Sequence, residues 1–143
     1  MALHVKIELL QIDLHELNEP FRNEYIFQIK FFGNLIVFER KQYTSGAALF
    51  PITFHYNETI VDHTFIEVEN TPYQFTLDLR VVEDDPIFDD IAESSFSFSI
   101  EPQNVQSPFA MNFNPRIKQD SEGIDATFHF LFQFEPTSSP PIP

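Results

Sequence analysis

Cysteine and tryptophan are absent from this 143-residue chain, and glycine occurs only three times. Without a thiol there is no disulfide framework, no zinc–thiolate site and no cysteine nucleophile, while the compartment is left open on that ground. So few glycines could hardly build a phosphate-cradling loop, which disfavours nucleotide binding. Positive charge is scarce as well: 8 Lys and Arg stand against 22 Asp and Glu, for a formal charge of -14. That balance opposes nucleic acid and unassisted contact with anionic lipid, because both need cationic side chains. Partners are expected to be cationic, neutral or bridged by a metal. Long hydrophobic runs are missing too, since no stretch approaches the roughly 20 apolar residues of a membrane helix. The start, Met1-Ala2-Leu3-His4-Val5-Lys6, has no cationic segment followed by a continuous apolar run. A soluble, cytoplasmic protein is the expectation.

Phenylalanine is what the chain has in excess, at 18 residues. Its ring suits half-buried pleated surfaces, so the composition points to sheets. Alternation with period two bears this out along the chain. Leu3, Val5, Ile7 and Leu9 are apolar with polar residues between them, and the same arithmetic holds for Tyr25, Phe27, Ile29 and Phe31. It returns at Phe75, Leu77, Leu79 and Val81, at Phe96, Phe98 and Ile100, and at Phe128, Phe130, Phe132 and Phe134. Weaker strand candidates are Leu35 to Lys41, Pro51 to Tyr56 and Thr59 to Val68. No window carries a helical stripe, and the 11 prolines fall mostly between strand candidates. The pattern predicts an all-β fold, an eight-stranded antiparallel β-sandwich, because each amphipathic sheet needs a second apolar layer. One domain over residues 1–136 is expected, with a Pro-rich tail at 137–143. Residues 101–123, rich in Pro, Asn and Ser, read as a long irregular connection.

One stretch carries chemistry. Glu83-Asp84-Asp85-Pro86-Ile87-Phe88-Asp89-Asp90 interrupts two strongly alternating strands. Carboxylates crowded into one inter-strand loop repel one another unless a cation sits among them, so the loop is a candidate cation site.

Read in order, the motifs resemble those of C2 domains. Gln11-Ile12-Asp13-Leu14 is similar to that family's A-x-D-L turn after the first strand, and Asn23-Glu24-Tyr25-Ile26-Phe27-Gln28-Ile29 resembles its D-P-Y-V-x-V, with Asn23 in the aspartate place. Phe54-His55-Tyr56-Asn57-Glu58 faintly resembles the N-P-x-W-N-E segment, without its Trp. Val81-Val82-Glu83-Asp84-Asp85 and then Asp89-Asp90-Ile91-Ala92 resemble V-x-D-x-D followed by D-D-x-I-G. The ending from Gly123-Ile124 to Glu135-Pro136 is like that of many members. The resemblance implies a C2-like β-sandwich whose loops at one end bind ions and membranes or proteins. It implies a calcium site drawing on Glu83, Asp85, Asp89 and Asp90, with Asn23 from the partner loop, and membrane or partner contact by Ile87 and Phe88. The first loop offers Asn18, Glu19, Asn23 and Glu24 in place of a clear aspartate pair, so calcium affinity is expected to be weak.

Other constellations have plainer readings. None of the five histidines, His4, His15, His55, His63 and His129, sits in a recognisable hydrolytic motif, and His4 and His129 fall on polar strand faces. His55 and His63 with Asp62 could mimic a metal cluster but read as ordinary residues. Phe31-Phe32, Phe109 and Phe113 read as satellite core packing, with an exposed partner patch as the alternative. Asn57-Glu58-Thr59 matches a glycosylation acceptor, relevant only to a secreted protein. The expected function is therefore a non-enzymatic, scaffold-like interaction module mediating protein binding or assembly. The alternative is calcium-dependent docking to phospholipid, with bound ions inverting the sign of the loop. A third reading, a carbohydrate-binding or hydrolytic sandwich, is held back by the missing Trp and the missing catalytic pair. A Phe-rich edge strand left exposed would invite a second copy, so a homo-oligomer stays open.

Overall fold

The structure is a computed structural model that describes residues 2–16, 22–31, 34–38, 41–44, 50–84 and 89–137, with 22, 23 and 41–44 described by backbone alone. Two antiparallel sheets face each other. The first contains β1 (Ala2–Leu14), β5 (Ile52–Ile66), β8 (Phe109–Phe113), β9 (Arg116–Gln119) and β10 (Ile124–Thr137), in the order β5-β1-β10-β8 with β9 also on β10. The second contains β2 (Arg22–Phe31), β3 (Asn34–Val37), β4 (Lys41–Thr44), β6 (Tyr73–Glu83) and β7 (Asp90–Ile100), in the order β3-β2-β6-β7 with β4 also on β2. The all-β antiparallel sandwich expected from the alternation is the fold that forms.

The reason is visible in the rings. Every alternating set points its apolar members between the sheets: Leu3, Val5, Ile7 and Leu9 from β1, Phe27 and Ile29 from β2, and Phe128, Phe130 and Phe132 from β10 are all buried. Across the interface Phe27 meets Phe128 edge-on at 6.1 Å, and Phe132 meets Phe75 at 6.3 Å and Phe98 at 5.3 Å. Tilted and edge-to-face pairs of this kind add to area burial. Phe31 belongs to this core, and Phe113 packs on Phe96 and Phe98 at 5.2 Å, as satellite packing requires, whereas Phe109 remains 41% exposed. Phe32 lies outside the described residues.

The strand count differs from the expected eight: ten strands occur among the described residues. Three local causes account for it. The candidate at 35–41 is two short strands, both paired to β2, with Phe38 between them donating its backbone N–H to the Phe27 carbonyl at 2.9 Å and packing on Tyr56 at 4.6 Å. The candidates at 51–56 and 59–68 are one strand, β5, because register shifts against β1 absorb the extra residues around Asn57, whose φ is 51°. The stretch 101–123 is not a structureless connection: it holds β8 and β9 between short 3-10 turns at Pro102–Asn104 and Asp120–Glu122. The second turn ends at Gly123, whose φ of 66° is one that glycine adopts without steric cost. β10 runs through Thr137, and the rest of the Pro-rich segment lies outside the described residues.

A bulge in β1 positions the polar chemistry. Leu9 pairs with Phe130 and Gln11 with His129, leaving Leu10 as an extra residue. The one-residue slip moves Ile12 and Leu14 to the buried face and turns Gln11 and Asp13 outward.

Candidate functional site at the acidic pole

The end of β6 and the start of β2 run antiparallel, so they share one pole of the sandwich. Glu83 closes β6 opposite Tyr25, and the Asp84 backbone N–H donates to the Glu24 carbonyl at 2.8 Å. β1 ends at the same pole, where the His15 backbone N–H donates to the Asp125 carbonyl at 2.8 Å. The residues that flank the acidic loop and the first loop are thus brought to one end, as the sequence resemblance requires.

The candidate ligands are distributed unevenly there. Glu83 and Asp90 are cross-strand partners with the inward parity of β6 and β7, and Glu83 is 1% exposed. Like charges placed directly opposite each other destabilise a ladder. Asp89 is exposed just before β7. Asn23 sits in β2 opposite Tyr43, with only its backbone described. Asp85, Ile87 and Phe88 lie outside the described residues, as do Asn18 and Glu19.

A carboxylate that the sequence reading passed over joins this group. Glu122, in the 3-10 turn before β10, shares a hydrogen bond with Asp90, and that bond, then desolvation, then the Asp90 charge push the Glu122 carboxyl above its ordinary range. Asp120-Ser121-Glu122-Gly123 reaches this pole because β10, paired antiparallel to β1, begins where β1 ends. Oxygen donors of this kind suit a hard cation such as calcium. Among the described residues, however, no three acidic or histidine side chains converge as a metal-holding group, so the described donors do not make a calcium site by themselves. The same statement covers His55, His63 and Asp62, where the Asp62 carboxylate bonds His4 instead and His63 lies 4.7 Å from the Phe65 ring.

Beside the pole, the outer face of the first sheet carries a polar hub. Asp13, 8% exposed, accepts hydrogen bonds from Thr53 Oγ1 at 2.7 Å and Gln11 Nε2 at 3.1 Å, and its Oδ2 lies 2.7 Å from His129 Nε2. Burial alone would push its carboxyl up, but the bonds from Thr53 and His129 and the His129 charge hold it below the usual carboxylate range. One turn away, Arg116 grips Asp125 with two bonds of 2.7 and 2.5 Å, which lowers the Asp125 carboxyl in the same sense. His15 Nε2 stands 2.7 Å from Thr127 Oγ1. These contacts tie β1, β5, β9 and β10 together where they approach the acidic pole.

The outer face of the second sheet holds a shallow groove of about 710 Å³, lined by Lys30, Arg80, Asp78, Glu93, Ser95 and Leu35 among others. Lys30 lies opposite Asp78 in the ladder and Arg80 comes within 3.8 Å of Glu93, so the cations are balanced where they stand. No helix among the described residues is long and apolar enough to cross a membrane.

No family model matches the chain, and no curated protein matches it. Among solved structures the chain is similar to the C2A domain of a plant extended synaptotagmin 1, with a TM-score of 0.48 and 11% sequence identity over 96% of each chain.

Proposed function

We propose that this chain is a non-enzymatic interaction module of the C2 type that binds a protein partner, and that the acidic pole is where the partner, or a weakly held calcium ion, is received. Glu83, Asp85, Asp89, Asp90 and Asn23 are its proposed ion contacts, with Glu122 added, and Ile87 and Phe88 its proposed partner contacts. The observation that carries the reading is the opposition of Glu83 and Asp90 across the β6–β7 ladder with Glu122 bonded to Asp90. Such an arrangement concentrates negative charge at one place, which favours a cation or a partner's basic side chain there. The charge of -14, and the pairing of the groove's cations with carboxylates, leave little cationic surface for anionic lipid among the described residues, which favours a protein over a membrane as the partner. The histidines also fit a non-catalytic reading, because Asp13 and His129 serve to tie neighbouring strands rather than to face a cleft.

Calcium separates this reading from lipid docking. The wild-type chain is expected to stay in the supernatant when mixed with phosphatidylserine vesicles, with or without calcium; calcium-driven sedimentation would hand the function to the membrane reading. The Asp90→Asn, Glu122→Gln double variant should melt higher than wild type at pH 7 without calcium and should show no calcium-dependent rise in Tm. The sign follows from the raised Glu122 carboxyl: stability tied to its proton is present at acid pH and lost as pH rises through that raised value. The gain should therefore shrink as pH falls and Glu122 takes up its proton. A double variant that melts lower at pH 7 would remove the repulsion on which the reading rests.

A further inference from the structure

We infer that the β8 edge is a self-association surface, at which two copies of this chain pair antiparallel across a two-fold axis. β8 pairs with β10 on one side and, among the described residues, stands at the end of its sheet on the other. Unpaired edges are normally blunted by charge, by proline within the strand or by a bulge. Phe109-Ala110-Met111-Asn112-Phe113 has none of these: it is uncharged, pairs with β10 without a register shift, and its prolines flank it at Pro108 and Pro115.

Charge selects the occupant. In a chain of -14, a second copy is repelled from almost every face, yet the run from Pro102 to Pro115 holds no charged residue at all. The other uncharged strand, β3, also lies at an edge among the described residues, but Lys30 stands opposite its Leu35, and Glu39, Arg40 and Lys41 follow it one residue on, after Phe38. Two like-charged chains can therefore approach at β8 with the least local repulsion.

Geometry gives the register. An antiparallel pair centred on Met111 sets Phe109 against the copy's Phe113, and Met111 against the copy's Met111. Phe109, Met111 and Phe113 already sit opposite Phe134, Phe132 and Phe130 in the ladder, and Phe109 stacks on Phe134 at 4.7 Å. Met111 is 38% exposed and Phe109 41%, so both have surface left to bury. Pairing would extend the Phe layer of one core across the axis into the other. Flanking prolines confine the added ladder to five residues, and so short a seam buries less than the roughly 1,200 Å² of a standard interface, so the dimer is expected to be weak.

Sedimentation velocity from roughly 5 to 500 µM covers the range in which so small an interface would assemble. A rise from monomer to dimer mass is expected, and it should strengthen with added salt as the repulsion between two acidic chains is screened. Because the chain has no cysteine, Met111→Cys places a single thiol at the axis. Residues opposite each other in an antiparallel ladder lie about 4.5–5.5 Å apart at Cα, within the span of a disulfide. Met111→Cys is expected to form a covalent dimer under mild oxidation, and Val37→Cys, at the β3 edge, is not. Met111→Lys sets two ammonium groups face to face and should weaken association at least about tenfold while leaving the melting temperature of the monomer close to wild type. A chain that stays monomeric throughout, or a dimer linked through position 37 in place of 111, would overturn the assignment.

Discussion

Phe132→Ala is expected to lower folding stability by about 4 kcal/mol, a fall in Tm of roughly 8–16 °C for a chain of this size. Phe132 is fully buried and its ring lies within 6.3 Å of Phe75, Phe98, Phe113, Phe130 and Phe134. It therefore joins β10 to β6 and β7 of the opposing sheet and to the β8 edge. Truncation removes the transfer free energy of the ring and leaves a void whose lining, itself largely aromatic, relaxes poorly. Phe109→Ala supplies the comparison, because that ring stacks on Phe134 but keeps 41% of its surface in water. Its cost should be under about half that of Phe132→Ala. Urea unfolding of both variants at micromolar concentration measures the difference, and equal losses would mean that Phe132 is not the centre of the interface.

Asp13→Ala is expected to cost about 2–3 kcal/mol at pH 7, because it strips three hydrogen-bonding side chains of their shared acceptor at a nearly buried position. The acid limb of stability carries the same information. Asp13 and Asp125 both have carboxyl groups held below the ordinary range, the first by Thr53 and His129 against the opposing effect of burial, the second chiefly by Arg116. A lowered folded-state value contributes stability that is complete above the unfolded value, about 3.9, and is lost as pH falls through the folded one. Wild-type stability should accordingly hold from neutral pH down to about pH 4 as far as these two groups decide it, and decline below that. Asp13→Asn keeps an acceptor oxygen but no charge, so it should lose less than Asp13→Ala at neutral pH and show a shallower acid decline. Thermal melts at pH 7, 5, 4 and 3 test this; an acid decline as steep in Asp13→Asn as in wild type would show that the hub contributes no proton-linked stability.

Much of this molecule could be read from residue order. Period-two alternation from Phe75 to Val81 and from Phe128 to Phe134 locates strands because a pleated chain has no other way to bury every second side chain. The weaker stretches failed for identifiable reasons. β5 reads as two fragments since bulges break its period, and β8 and β9 are short strands, framed by proline, that pair with β10. The bulge at Leu10 has no mark in local sequence, since only the demand that Ile12 and Leu14 reach the core imposes it.

The acidic pole divides in the same way. Glu83, Asp89 and Asp90 announce themselves by crowding, and the resemblance to C2 domains adds Asn23. Glu122 is separated from Asp90 by the whole of β7, β8 and β9, so no pattern of spacing joins them. The Asp13 hub is equally invisible, its partners lying at positions 53 and 129. Sequence alone determined the all-β class, the Phe-lined core and the sign of the surface, because alternation and net charge act locally or in sum. Only the tertiary structure decided which carboxylates face each other and which strands end each sheet, because strand pairing sets those distances and pairing is chosen by the whole sheet.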